Sequence, residues 1–239
     1  MGIRGDALVK GFGRRTVVNG AAIRLDKGEV VGLLGPNGAG KTTTFYMIVG
    51  LERPDSGSVW VDDKEVTQSP VWQRARLGVG YLAQEPSIFR KLTVEQNIMA
   101  VLEVVEPRRD QRAERLENLL KEFNLTHLAD QLGITLSGGE RRRVEIARVL
   151  AASPSYILLD EPFTGVDPIA VGELQEIVVR LRSNGLGVLI TDHNVRDTLA
   201  IVDRAYIMHE GRILVSGTAE HVAADATARQ FYLGERFTL

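Results

Sequence analysis

The 239-residue chain has no cysteine. That excludes disulfides and thiolate metal sites and is compatible with a reducing compartment. No apolar run approaches the roughly 20 residues that cross a bilayer, so any membrane involvement would run through a partner. Met1 to Phe12 holds no apolar core of the kind a secretory signal needs, and none is expected there. Positive charge is not in excess: 29 Lys and Arg stand against 31 Asp and Glu, which gives no general reason to expect a nucleic-acid partner. Internal repeats and low-complexity segments are absent as well. The remaining composition is that of an ordinary globular protein, long enough for one large domain or two lobes.

Against this background one stretch stands out. Val30 to Leu34 is a run of mostly branched apolar residues. It leads into Gly35-Pro36-Asn37-Gly38-Ala39-Gly40-Lys41-Thr42-Thr43, and then into the helix-like Thr44 to Val49. A buried strand, a glycine-rich loop and a helix start form the context of a phosphate-binding loop. Gly35, Gly38 and Gly40 let successive N–H groups point inward, and the helix N-terminus adds positive potential at the same place. Lys41 would reach the β- and γ-phosphates, and the Thr42 hydroxyl would take a Mg²⁺ position. A nucleoside triphosphate is the expected ligand.

Along the chain, Ala7 to Lys10, Thr16 to Leu25, Ser58 to Val61 and Val79 to Leu82 read as short strands between turn-prone segments. Thr93 to Ala152 reads as helical. Ala113, Leu116, Leu119, Leu120 and Phe123 form an apolar stripe there, and the arginine runs 108–109 and 141–143 read as solvated helix faces. Tyr156 to Leu159 and Gly187 to Ile190 are continuous apolar runs of buried parallel strands, with a crossover helix over Val171 to Ser183. Ala205 to Met208 and Arg212 to Val215 read as a closing hairpin, followed by a polar helical tail.

Asp160 and Glu161 follow the apolar run at 156–159, and a parallel strand would deliver them to the sheet edge that carries the glycine-rich loop. Asp160 can then hold the Mg²⁺ shell while Glu161 polarises a water. Leu136-Ser137-Gly138-Gly139-Glu140 offers a hydroxyl and bare backbone amides at a helix start, a second phosphate-binding surface.

With these three motifs in this order, nearly the whole chain resembles the ABC ATPase family, and Leu136 to Glu140 is similar to its signature. The resemblance implies an α/β fold. A P-loop NTPase core would carry an N-terminal antiparallel β-subdomain (together about 1–92 and 153–239) and an inserted helical subdomain (about 93–152), all as one nucleotide-binding domain over 1–239. It implies that Gln84 contacts Mg²⁺ and the attacking water, that Asp167 lies in the D-loop, that His193 senses the γ-phosphate and that Phe12 stacks on adenine. It also implies a head-to-tail homodimer sandwiching two ATP molecules. Lys41 and residues 35–43 of one chain would face Ser137, Gly138 and Gly139 of the other, with Glu161 as general base.

A one-domain chain of this kind is similar to transporter subunits. Repair ATPases need a long coiled-coil or zinc insertion, and translation-type proteins carry two such domains. Residues 41–50, 84–90, 138–148, 186–198 and 232–237 resemble the ATPase of the lipopolysaccharide export system of Gram-negative bacteria. That of branched-chain amino acid importers is the nearest rival. Ala83 stands where this group is expected to have proline, and Thr164 where alanine is more usual. The implied partners are two transmembrane permease subunits of the export type, docked around Glu85, Phe89, Arg90 and Leu92. The chain would lie on the cytoplasmic face of the inner membrane, without touching cargo or nucleic acid.

Overall fold

The computed structural model describes residues 1–234 and 237. Its centre is a six-stranded sheet ordered β10-β9-β3-β8-β7-β6. Three strands make up its middle: β3 (Val30–Leu34), β7 (Tyr156–Asp160) and β8 (Gly187–Thr191). Every residue of all three is buried. That is the outcome expected of unbroken apolar runs in a parallel sheet covered on both faces. β6 (Val79–Leu82) pairs in parallel with β7, and β9 (Arg204–His209) pairs in parallel with β3. β10 (Arg212–Thr218) closes the edge as the antiparallel partner of β9.

A second, antiparallel sheet has the order β2-β1-β4-β5. Of its long strands, β2 (Arg15–Asp26) matches the segment expected from the sequence to within one residue at each end, whereas β1 (Gly2–Phe12) extends well beyond Ala7 to Lys10. The reason is a bulge: Ala7 sits at φ 47°, and the β1–β2 register shifts between Gly5 and Leu8. The bulge breaks the apolar alternation without ending the strand. The other two strands are β4 (Ser56–Val61) and the two-residue β5 (Lys64–Glu65).

Between the sheets runs α1 (Lys41–Val49), which ends at Gly50 in a left-handed C-cap. Its C-terminal end is held from the short helix α2 (Val71–Arg76). Arg74, buried to 1% exposure, donates to the carbonyls of Met47 and Ile48 at 2.7 and 2.6 Å and to those of Ser69 and Thr67. Burial without a carboxylate partner pushes the guanidinium down to about 10.

The segment between β6 and β7 is helical: α3 (Val94–Val105), α4 (Arg109–Glu122) and α5 (Gly138–Leu150). Leu116, Leu119, Leu120 and Phe123 of the expected stripe are buried there, whereas Ala113 is exposed. After β7 the crossover helix α6 (Pro168–Ser183) returns the chain to β8, and α7 (Val195–Leu199) follows it. The tail forms α8 (Ala219–Ala224) and further turns, and it is less polar than its sequence suggests: Val222 and Ala228 are fully buried. Glu235 and Arg236 of the motif 232–237 lie outside the described residues. The α/β fold class expected from the sequence is the one observed. Among the described residues no helix is long and apolar enough to cross a membrane.

Candidate active site

The site lies at the C-terminal ends of β3, β6, β7 and β8. The register places Asp160 opposite Thr191 and Leu82 opposite Leu159, so the residues that follow these strands meet at one edge. The loop between β3 and α1 closes over this edge. Two of its glycines are required by close approach: a Cβ on Gly35 (φ 152°) would lie 2.1 Å from the Met208 carbonyl oxygen, and one on Gly40 (φ 103°) 2.7 Å from that of Val17. A cavity of about 220 Å³ opens beside the loop. Its walls include Asn37, Gly38, Gly40, Lys41, Thr42, Thr43 and Glu161. Arg15 and Val17 complete it. Neither was singled out from the sequence, because they reach the cavity across the gap between two sheets and not along the chain.

Lys41 is 7% exposed, and its Nζ donates to the carbonyls of Gly35 at 2.7 Å and Pro36 at 3.1 Å. Burial lowers the ammonium below its usual range, opposed by the negative charges of Glu161, Asp160 and Asp192. Asp160 is completely buried: Oδ1 accepts from the Thr191 hydroxyl at 2.7 Å, and Oδ2 has no hydrogen-bond partner. Burial raises its carboxyl above the usual range, and Thr191, Arg142 and Lys41 work against that shift.

A buried, unpaired carboxylate oxygen beside a phosphate-binding loop suits a divalent cation or its water. Among the described residues no group of three His, Cys, Asp or Glu could hold a metal. A cation bound by Asp160 would therefore take most of its ligands from hydroxyl, amide, water and phosphate oxygens, the coordination habit of Mg²⁺. The residues fit that ion.

Glu161 stands at φ 47°, a conformation that costs a non-glycine residue about 1 kcal/mol or more. Its Oε2 accepts from Gln84 Nε2 at 2.9 Å and from the Thr164 hydroxyl at 3.0 Å, and it lies 3.4 Å from His193 Nδ1. Gln84, Glu161 and His193 are thus brought together, with His193 about half exposed. Asp192, also fully buried, fastens the cluster from below. Its two oxygens accept from the amides of Asn194 and Phe163, tying the end of β8 to the turn after β7.

The signature segment lies elsewhere. Ser137 and Glu140 form a capping box at the start of α5. Gly139 packs so tightly on α6 that a Cβ there would come within 2.6 Å of Ala170. Ser137, Gly138 and Gly139 are not among the cavity walls. Asp167 caps α6 by accepting from the Ala170 amide at 3.0 Å. Phe12 is half exposed at the tip of the β1–β2 hairpin with Lys10 over its ring, also outside the cavity walls.

One expectation fails in part. Arg108 and Arg109 are exposed, but the run 141–143 is not a solvated face. Arg142 is 6% exposed. It donates to the carbonyls of Ala83 (2.7 Å) and Asp160 (3.0 Å) and pairs with the buried Glu145. Glu145 in turn accepts from the amides of Ser87 and Ile88. Arg143 pairs with Glu173 of α6. The helical segment is therefore bonded both to the backbone at the end of β7 and to the loop leaving β6.

That loop carries the four residues expected to meet a partner. Glu85, Phe89 and Arg90 are exposed and Leu92 is half-buried. The Phe89 backbone is held at both N–H and C=O by the buried Asn97, and Arg148 lies 4.7 Å over its ring. Beside it a groove is lined by Pro86, Ile88, Arg90, Gly133, Ile134 and Arg141.

Comparison with known proteins bears on this arrangement. The family model described as ABC transporter matches residues 18–164, more than half of the chain. The lipopolysaccharide export system ATP-binding protein of Haemophilus influenzae is 55% identical, with 97% of this chain and 97% of that protein covered. Its counterpart in Acidithiobacillus ferridurans is 53% identical over 99% of this chain and 98% of its own length. A probable ABC transporter ATP-binding protein of Azorhizobium caulinodans is 57% identical, covering 97% of this chain and 83% of the relative. Among solved structures, an ATP-binding cassette of an ABC transporter in its ADP conformation superposes with a TM-score of 0.87 at 29% identity, covering 98% of this chain and all of that one.

Proposed function

This chain belongs to the ABC transporter family and is an ATPase, and we propose that it powers lipopolysaccharide export from the inner membrane. The observation that carries this reading is the identity of 53–55%, over nearly the full length of both chains, to ATP-binding proteins named for that export system. The clamped, outward-facing Phe89 beside a groove supports the docking part of it.

In this reading residues 1–239 are one nucleotide-binding domain, and Gly35 to Thr43 hold the triphosphate. Lys41 exchanges its bonds to the Gly35 and Pro36 carbonyls for the β- and γ-phosphates. Phe12 stacks on the adenine. Thr42, Asp160 and Gln84 are the residues that would hold Mg²⁺, which when bound neutralises phosphate charge. Glu161 takes the proton of the attacking water, and His193 hydrogen-bonds the γ-phosphate. Ser137, Gly138 and Gly139, lying outside the cavity of their own chain, close on the phosphates held by a second copy, with Asp167 at the junction. Hydrolysis removes the group that bridges the copies, so the dimer opens. On the cytoplasmic face of the inner membrane, two transmembrane permease subunits receive that motion at Glu85, Phe89, Arg90 and Leu92.

The test is purification of the tagged chain from its native membrane, with identification of what accompanies it. Two membrane subunits of the lipopolysaccharide export type are expected. Permease subunits accompanied by an amino-acid-binding protein would replace export with import. Active ATPase with no membrane partner would remove the transport reading.

A further inference from the structure

The hydrolysis cluster contains a hydroxyl that the roles above do not use. Thr164 follows Glu161 by three residues, on the turn between β7 and α6. Its Oγ1 lies 3.0 Å from Glu161 Oε2 and 3.3 Å from His193 Nδ1. A carboxylate can only accept, so the single hydroxyl proton goes to Glu161. With the proton of His193 on Nδ1, the hydroxyl oxygen then accepts from that ring nitrogen. Gln84 bonds the same carboxylate oxygen from the loop after β6. Glu161 is therefore gripped at Oε2 from two sides, and among the described residues no hydrogen bond is made to Oε1.

We propose that Thr164 is a positioning residue for ATP hydrolysis: its hydroxyl fixes the Glu161 carboxylate by one oxygen, so that the other faces the attacking water, and ties it to His193. The proposal rests on the reading of Glu161 as the base. It is specific to the hydroxyl, because the backbone at Glu161 is already set by its left-handed conformation and by the bond from its amide to the Thr191 carbonyl at 2.8 Å. An alanine at this position, usual in the group the sequence resembles, leaves the carboxylate held by Gln84 alone. The expected effect is graded for that reason.

Thr164 is exposed, so substitutions there are compatible with folding. Thr164→Val keeps the shape and removes the hydroxyl. We expect kcat to fall roughly three- to tenfold, the value of one such hydrogen bond, with the KM for ATP and the thermal midpoint unchanged. Thr164→Ser should restore kcat to within about twofold, since the hydroxyl is retained. In a Glu161→Ala background, Thr164→Val should not lower the residual single-turnover rate further, because the group it acts through is gone. Normal kcat in Thr164→Val, failure of the serine to restore it, or the same loss without Glu161 would each overturn the proposal. Normal turnover of Glu161→Ala itself would instead remove the assignment of the base on which it stands.

Discussion

Replacing Arg142 by methionine tests whether the helical segment is bonded to the sheet edge at Asp160 in the way the structure indicates. The side chain is 6% exposed and its ion-pair partner Glu145 is 1% exposed. Truncating one member of a buried pair typically costs about 3–5 kcal/mol, because the other charge is left uncompensated. Two features put this case at the lower end. Glu145 keeps its amide donors from Ser87 and Ile88, and the guanidinium, which burial pushes below its usual range, no longer has to be desolvated. A loss of about 3 kcal/mol would lower Tm by roughly 6–12 °C in a chain of this size. Urea unfolding without nucleotide should show that loss, and ATPase assays well below the new Tm should show reduced kcat, since the carbonyls of Ala83 and Asp160 lose their donor. Adding Glu145→Gln to Arg142→Met should recover at least about 1 kcal/mol by removing the stranded charge. A single variant within about 1 kcal/mol of wild type, or a double variant worse than the sum of the singles, would refute this account of the pair.

Glu161→Gln should lower turnover by roughly 100-fold or more, the usual contribution of a general base, while ATP still binds. Size-exclusion chromatography with ATP and Mg²⁺ should then show a dimer that wild type forms only transiently, and normal turnover would remove Glu161 from the chemistry. Arg74→Met should destabilise the chain by about 3 kcal/mol, because four backbone carbonyls lose a shared buried donor. Arg74→Lys, with a single ammonium in place of the fork, should recover only part of that in urea unfolding; full recovery would mean that charge alone matters. Phe89→Ala should abolish transport in proteoliposomes containing the permease subunits and leave ATPase activity of the isolated chain within about twofold. The Arg148 contact it removes is worth only about 0.5–1 kcal/mol at an exposed site. Equal loss of both activities would make Phe89 a local plug.

What could be read from the sequence was what a continuous local pattern encodes. Val30 to Leu34, Tyr156 to Leu159 and Gly187 to Ile190 are unbroken apolar runs, and unbroken runs become the buried parallel strands. Because β3 and β7 belong to one parallel sheet, the residues just after them had to converge, and Lys41, Asp160 and Glu161 could be proposed together from the runs themselves, whereas Gln84 and His193 came only from the family resemblance. Arg142 was misread because a run of three arginines averages to a solvated surface, whereas burial is decided one side chain at a time by what packs opposite. A signal was present: Arg142, Glu145, Ile146 and Val149 are spaced by three, one and three residues, a single helical stripe. An oppositely charged pair three residues apart on an otherwise apolar stripe points to a buried pair. Arg74 gave no comparable signal, since its partners are carbonyls, which every residue has. Arg15 and Val17 were missed for a different reason: they adjoin Lys41 only through the packing of one sheet on another.

The departures from local rules concentrate at one place, and that concentration is itself an argument about function. The middle strands follow every rule of pairing and burial. Immediately beyond them Glu161 adopts a left-handed conformation, Asp160 keeps an unpaired oxygen at zero exposure, and Lys41 is buried with its ammonium on two carbonyls. Each is unfavourable for folding by about 1 kcal/mol or more. Neighbouring protein groups offset the burial of Lys41 and Asp160 only in part, and Asp160 Oδ2 keeps no partner, whereas both oxygens of the buried Asp192 are bonded. A polyphosphate with its cation would relieve two of the three at once. The anion would accept from Lys41 more strongly than a neutral carbonyl does, and Asp160 would offer its free oxygen to the cation. Stability withheld from the folded chain at this edge would thereby be returned on binding.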